Sequence, residues 1–275
     1  MLGAIIGDVI GSVYERQNIL SEDFPLFSRD TRFTDDTVMT VAAAQKLLND
    51  KKVISEKSEL SYAMWYKMYY RRYPNAGYGY MFEEWANSGE LYVQKSCGNG
   101  AAMRIVPIGY ACDSAKDIKR EVKASCHYTH NHHEAINCAF AVALAVYLAR
   151  NGSGKAEIKK ELEKRTRLKL DFTLDDVRGR GFSSRSRESV PQAIASFLEG
   201  NDYESTIRKA ISIGGDSDTI ACMAGGIAEA YYKEIPEEIV KGAYRYLDGT
   251  IKDVIKKFYE TFNKPQNDIC INNTI

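Results

Sequence analysis

One apolar segment in the last third of the chain limits what the chain can fold into. It runs from Ile211 to Tyr232, ISIGGDSDTIACMAGGIAEAYY, and it is apolar enough to predict a buried helix. Two glycines stand before that helix, and Asp216 and Asp218 follow them at its entrance. Burying carboxylates beside apolar residues is costly unless hydrogen bonds or a cation compensate their charge. The fold therefore has to provide these two side chains with a partner.

Helical patterns dominate the remaining sequence, and alternating strand patterns are scarce. Gly3, Gly7 and Gly11 recur every four residues, so they share one helix face that another backbone can approach closely. We expect one all-α domain over residues 1–262, an orthogonal helical bundle, followed by an irregular tail at 263–275. Within it, Asp202 is expected to cap a helix and Pro236 to occupy a first helical position. Helices are predicted at 34–50, 58–73, 134–152, 189–202, 202–215, 235–249 and 248–262.

Bulk properties exclude several classes of protein. The 275 residues carry no formal net charge, which argues against a general nucleic-acid binder or a polybasic membrane anchor. The six cysteines form no CxxC pair, and we find neither a signal peptide nor a membrane-spanning run. We expect a cytoplasmic protein with reduced thiols. It is expected to be a monomer, because no heptad pattern or exposed apolar stripe demands a partner.

A second acidic entrance, Phe33–Thr37 with the sequence FTDDT, precedes another apolar helix. Capping is one interpretation, because Thr, Asp and Ser side chains satisfy free N–H groups at helix starts. A cap needs one side chain, however, and each entrance has two carboxylates and further hydroxyls. Oxygen ligands of this kind suit a hard cation such as Mg²⁺, Mn²⁺ or Ca²⁺, and two facing clusters suit a two-metal site.

Two more acids lie near the N-terminus. Asp8 and Glu15 are seven residues apart, so a helix would place them on the same side. Glu15 would then point at the metals, and a surface glutamate is the alternative.

Two further segments are candidates for substrate contacts. Ser96–Arg104, SCGNGAAMR, is a glycine-rich turn entering a helix, where backbone N–H groups can approach an anion, although an ordinary turn has the same look. All four histidines lie in CHYTHNHHEA, from Cys126 to Ala135. Their spacing fits no common zinc pattern. His130 or His132 is the better candidate for a phosphate or hydroxyl contact, whereas His127 and His133 can serve as caps or core residues.

The polar stretch Arg178–Arg187, RGRGFSSRSR, is predicted to be a solvated loop, with contact to an anionic partner as the alternative.

These motifs, in this order, resemble the ADP-ribosylglycohydrolase family. The resemblance covers Gly3 to about Lys233. The segments that carry it are GAIIGDVIGSVYE, FTDDTVMT, GNGAAMRIVPIG, THNHHEA, SVPQAIASFLEG and SIGGDSDTIACMAGGIAEAYY. It implies an all-α orthogonal bundle with a dinuclear Mg²⁺ or Mn²⁺ centre in a cleft.

The resemblance also implies roles for individual residues. Glu15 matches a mobile glutamate near the metals, and Glu15 or Asp35 is the expected catalytic base. Cys97 stands where some relatives have an aromatic residue, and His133 stands where some have proline. The implied metal ligands are Thr34, Asp35, Asp36, Asp216, Asp218 and Thr219. The implied substrate contacts are Ser96, Cys97, Gly98, Asn99, Gly100 and His130.

The implied activity is hydrolysis of the bond between ADP-ribose and an acceptor, by water attack at the anomeric carbon of the distal ribose. The acceptor is expected to be a protein side chain, arginine or serine, or else a small ADP-ribose derivative. Three other interpretations stay open: a non-catalytic ADP-ribose binder, a dinuclear phosphoesterase and a structural protein with a vestigial site.

Overall fold

The computed structural model describes residues 1–50 and 57–262, and the predicted 263–275 tail lies outside them. Thirteen α-helices and two short 3₁₀ turns occur there, and no β-strand is present in either range, so the all-α prediction is confirmed. The helices are α1 Leu2–Gly11, α2 Asp35–Asp50, α3 Ser58–Arg72, α4 Tyr80–Asn87, α5 Val106–Ala111, α6 Ala115–Cys126, α7 His133–Arg150, α8 Lys155–Thr166, α9 Ser186–Glu199, α10 Tyr203–Ser212, α11 Ser217–Tyr232, α12 Glu237–Tyr244 and α13 Gly249–Phe262.

The centre of the molecule is a pair of antiparallel helices, α1 and α11, whose backbones touch. A Cβ added to Gly7 would lie 2.1 Å from the carbonyl oxygen of Ala221, and one added to Gly3 would lie 2.5 Å from that of Gly225. A Cβ on Gly11 would lie 2.5 Å from Cα of Asp218. The glycine face of α1 therefore sets the end of α1 directly against the start of α11.

The other helices cover this pair. Helix α11 packs against α7, α9 and α10, while α2 lies between α1, α3 and α13. Every residue of α1 is buried, and so is nearly all of α11. Buried apolar side chains from Met1 to Tyr259 form one continuous core. None of the described helices is long and apolar enough to cross a membrane.

Local expectations hold with three corrections, one of which is that the predicted 235–249 helix ends at Tyr244. Asp202 caps α10 by accepting from the N–H of Ser205 at 2.7 Å. Pro236 is not the first helical residue, because it precedes α12 as its N-cap. The predicted loop 178–187 ends early, since Ser186 already begins α9. The extent of the single domain stays a prediction.

The α1–α11 contact predicts a large effect of a single methyl group. We expect Gly7→Ala to lower the free energy of unfolding by about 3 kcal/mol, because the new Cβ would force two backbones apart. Urea denaturation measures this loss. Gly249→Ala is the matched control: it lies in helix α13, and no described atom lies within 4 Å of an added Cβ. Equal stability of the two variants would contradict the close packing.

Candidate active site and metal centre

Asp8, on the buried helix α1, holds the start of α2. Its carboxylate accepts from the backbone N–H groups of Thr34 and Thr37 at 2.9 and 3.1 Å. It also accepts from both threonine hydroxyls, with 2.6 Å to Thr34 Oγ1. An aspartate from one helix thus caps another, and the first acidic entrance is fixed against the end of α1.

The second acidic entrance faces the first. Thr219, in the first turn of α11, donates its hydroxyl to Asp36 Oδ2 at 3.2 Å. Asp216 accepts from the Nδ2 amide of Asn99 at 2.8 Å, which joins the glycine-rich turn to the acidic residues. Asp216 occupies the N-cap position of α11 but makes no side-chain capping hydrogen bond. Capping therefore explains Asp8 and Thr34, but it does not explain Asp216.

Two groups of three carboxylates result, Asp8–Asp36–Asp218 and Glu15–Asp216–Asp218. In each group, one oxygen from every residue lies within 4.8 Å of the others, and Asp218 belongs to both groups. Oδ1 of Asp36 is buried and has no hydrogen-bond partner among the described residues. An unpartnered buried carboxylate oxygen among further carboxylates and threonine hydroxyls is a donor set that fits a hard divalent cation.

The electrostatics of the acidic groups point the same way. Burial, followed by the charges of Asp8 and Asp35, raises the pKa of Asp36 well above its usual value. Burial and the Asp36 charge do the same to the pKa of Asp218. The pKa of Glu15 is raised by partial burial and by Asp216. The carboxylates repel one another in this arrangement, and a bound cation would relieve that repulsion.

Glu15 lines the cleft, but it does not lie on the helix predicted for it. Helix α1 ends at Gly11, so Glu15 lies in the following turn and does not continue the helix face of Asp8. Asn18 fastens this turn to the loop before α11: its amide donates to Tyr14 O at 2.7 Å and to Gly215 O at 2.9 Å. Gly215 N–H donates back to Asn18 Oδ1. Gly214 and Gly215 both have positive φ, near 77° and 78°, which explains the glycine pair.

All the predicted site residues except Cys97 meet in one cleft of about 650 Å³. Asp35 is half-buried and belongs to neither group of three, and burial with the charges of Asp8 and Asp216 raises its pKa well above the usual value. Cys97 does not line the cleft. The predicted residues that do line it are Glu15, Thr34, Asp35, Asp36, Ser96, Gly98, Asn99, Gly100, His130, Asp216, Asp218 and Thr219.

The glycine-rich turn leads into a shorter element than the predicted helix. It enters only a 3₁₀ turn, Asn99–Ala101. The N–H of Gly98 donates to Ser96 Oγ at 3.1 Å, and the N–H of Asn99 donates to Ser184 O at 2.7 Å. These two backbone donors hold the turn together, and its contact with a substrate phosphate stays a prediction.

The histidines separate into different roles. His132 is the N-cap of α7, where its Nδ1 accepts from the N–H of Glu134 at 3.3 Å. His130 is buried at the cleft wall. Of the two candidates for substrate contact, only His130 lines the cleft.

The aromatic residues that line the cleft were not identified from the sequence. Phe182 and Ser184 of the 178–187 loop line the cleft, so this loop is not merely solvated, and Phe182 is 59% exposed. Tyr78 and Tyr80, before and at the start of α4, also line it. The local signals were a lone phenylalanine, Phe182, in a polar stretch and two tyrosines, Tyr78 and Tyr80, that alternate with glycines.

Comparison with known proteins agrees with this geometry. The sequence model of the ADP-ribosylglycohydrolase family matches residues 1–268. The chain belongs to this family. ADP-ribosylhydrolase ARH3 of Mus musculus is 30% identical to it, over 86% of this chain and 84% of the relative. The ADP-ribosyl-(dinitrogen reductase) glycohydrolase of Rhodospirillum rubrum is 22% identical, over 93% and 91% of the two chains.

A solved structure described as an ADP-ribosylglycohydrolase-related protein complex shares the fold. It superposes with a TM-score of 0.67 over 94% of this chain and 96% of that chain, at 22% identity. As a member of the ADP-ribosylglycohydrolase family, the chain is a glycosidase-type hydrolase, as predicted. The acceptor, the metals and the roles of single residues stay predictions.

The raised carboxyl pKa values predict how stability depends on pH. A carboxyl group whose pKa is raised by folding stabilises the fold below its ordinary pKa, which is 3.8 for Asp36, and loses this effect as pH rises through the raised pKa. In EDTA we therefore expect the melting temperature to fall as pH rises above the ordinary carboxyl pKa of 3.8. With Mg²⁺ the trend reverses, because the cation binds deprotonated carboxylates. At a Mg²⁺ concentration a hundred times its dissociation constant, binding raises the free energy of unfolding by about 2.7 kcal/mol.

Thermal melts of two variants separate this effect from general charge changes. Asp36→Asn removes part of the repulsion, so it is expected to melt above the wild type in EDTA at high pH and to gain less from Mg²⁺. Asp253→Asn changes an exposed acid of α13 and is expected to match the wild type. A wild-type melt that Mg²⁺ leaves unchanged at every pH would refute the metal site.

Proposed function

We propose that this enzyme is a metal-dependent ADP-ribosyl hydrolase that releases ADP-ribose from a protein side chain, arginine or serine. The observation that carries the proposal is the pair of carboxylate groups sharing Asp218 at the floor of a cleft of about 650 Å³. The family membership supports ADP-ribose as one part of the substrate, and the names of both relatives contain the word ADP-ribosyl. A cleft of this volume is large enough for a nucleotide-sized ligand.

We further propose that two Mg²⁺ ions, or Mn²⁺, are held there. Asp36, Asp218 and Thr34 would hold one ion, and Asp216, Asp218 and Thr219 the other, with Asp35 as a further candidate ligand. When bound, these cations supply positive charge that neutralises the acids and attracts the ribose hydroxyls.

Residues of the chain itself would carry out the proton transfers of the reaction. In the reaction, water oxygen forms a bond to the anomeric carbon while the bond from that carbon to the acceptor breaks with its electron pair. A carboxylate takes the proton of the water, and the acceptor gains a proton. Glu15 suits the first task, because it is half-buried in the cleft and its raised pKa makes it a stronger base than an exposed glutamate. Asp35 is the second candidate.

The proposal predicts a metal-dependent release of ADP-ribose. We expect free ADP-ribose from arginine- or serine-ADP-ribosylated protein in Mg²⁺, and none in EDTA. Asp218→Asn, which removes the carboxylate common to both groups, is expected to reduce the rate at least about 100-fold. Asp253→Asn, far from the cleft, serves as the charge-matched control. Chromatographic detection of ADP-ribose measures the rate, and the linkage that is cleaved identifies the acceptor.

Three outcomes of this assay would count against the proposal. Release that persists in EDTA would remove the metals from the reaction. Tight ADP-ribose binding without release from either protein would favour an ADP-ribose binder. Release from a small ADP-ribose derivative alone would replace the protein acceptor.

The assignment of Glu15 has its own prediction. Glu15→Gln is expected to lower kcat by about 10²- to 10⁴-fold, because the amide cannot accept the proton of the water. Mg²⁺ should still raise the melting temperature of this variant. Full turnover together with intact metal binding would transfer the role to Asp35.

A further inference from the structure

A buried arginine, Arg104, lies in the wall of the cleft, where it lines the cleft beside Thr129 and His130. Arg104 has no exposed surface, and it forms no ion pair with any acid in the described parts of the chain. Its Nη2 donates to Ser125 O at 3.1 Å and to Thr129 Oγ1 at 2.7 Å. Its guanidinium carbon lies 4.1 Å from the ring centre of Tyr66. A buried cation without a carboxylate is unusual, because its desolvation is costly.

The hydrogen bonds of Thr129 determine where the protons are. Arginine can only donate, so the hydroxyl oxygen of Thr129 accepts from Arg104. The hydroxyl proton then needs an acceptor of its own, and Nδ1 of His130 lies 2.8 Å away. If Nδ1 carried a proton instead, the buried hydroxyl proton of Thr129 would have no acceptor in the described residues. Since buried polar groups are almost always paired, Nδ1 is the acceptor.

His130 is also held neutral. Burial and the nearby charge of Arg104 lower the pKa of His130 well below its usual value. A neutral imidazole with an unprotonated Nδ1 carries its single proton on Nε2. The ring therefore presents one fixed N–H to the cleft.

That N–H lies at the glycine-rich turn. A Cβ added to Gly100 would lie 3.0 Å from Nε2 of His130, and one added to Gly98 would lie 3.7 Å from it. The backbone N–H groups of Gly98 and Asn99 are already engaged within the protein. Nε2–H has no acceptor in residues 1–50 or 57–262, so it is free to donate to a ligand.

We propose, on the basis of the proposed function, that Arg104 acts through Thr129 to hold His130 as a neutral Nε2–H donor to a phosphate oxygen of the bound substrate. A phosphate oxygen is an anionic acceptor, and it matches both the fixed donor and the uncompensated positive charge behind it. This wall is thus opposite in charge to the acidic floor. His130 is a binding residue in this assignment, and Arg104 and Thr129 are positioning residues.

The protonation state can be measured without any substrate. In protein labelled with ¹⁵N-histidine, the ring nitrogens of His130, assigned by their loss in His130→Gln, should show the Nε2–H form throughout about pH 5 to 8. Thr129→Val keeps the shape but removes the hydroxyl that donates to Nδ1, so the Nδ1 resonance should shift to that of an imidazole nitrogen without a hydrogen bond. Thr129→Ser keeps the hydroxyl and should keep the wild-type form. An Nδ1–H or doubly protonated ring in the wild type would overturn the proposal, as would a Thr129→Val spectrum identical to it.

Arg104→Met tests the first member of the chain. Without the guanidinium, Thr129 is free to accept from Nδ1–H, so a mixture of the two forms is expected. An unchanged spectrum would remove Arg104 from the assignment. If this variant does not fold, the wild-type spectrum and the Thr129 pair still decide the matter.

Ligand binding tests the phosphate. Calorimetry should show that Thr129→Val binds ADP-ribose about tenfold more weakly than the wild type, with a smaller loss for Thr129→Ser. Inorganic pyrophosphate should lose affinity in the same order, and ribose should not. Equal losses for ribose would assign Nε2–H to a sugar hydroxyl and contradict the proposal. Absence of hydrolysis alone would contradict the proposed function and leave the spectra intact.

Discussion

The structure depends on the direct contact between the backbones of α1 and α11. Three glycines on α1 allow this approach, and the antiparallel arrangement sets Gly11 against Asp218. Asp8, one turn before the end of α1, then reaches Thr34 and Thr37 and holds the start of α2. Two helix starts rich in carboxylates are thereby brought together at the end of a third helix. Each glycine lowers helix stability by about 1 kcal/mol relative to alanine, but without these glycines the two backbones could not come close enough to assemble the site.

The cleft combines surfaces of opposite charge. Its floor concentrates acids whose pKa values are raised, which destabilises the fold unless cations bind. Its wall contains a buried guanidinium without a carboxylate and a neutral histidine. Such a division suits a ligand that has hydroxyls at one end and phosphates at the other. Stability and function oppose each other at the floor, since removing an acid relieves repulsion and destroys a ligand.

Much of the fold and of the acidic site could be predicted from the sequence, because the signals for them are local. The glycine spacing, the Asp202 cap and the two acidic entrances are each readable within a few residues. Asp8 was identified as an acid near the site, but its role as a cap for α2 depends on a residue 26 positions away. Asn18 and Phe182 act across still longer separations, with no periodic signal of their own. Glu15 was misplaced on a helix, because no local residue marks the end of α1 at Gly11. Cellular location and oligomeric state stay predictions.

Anomalous diffraction from crystals grown with Mn²⁺ would locate the proposed metal ions. We expect two peaks at the cleft floor, one within about 2.2 Å of oxygens of Asp36 and Asp218 and the other beside Asp216 and Asp218. Peaks absent from the floor, or a single ion bound away from Asp218, would contradict the proposal of two metal ions.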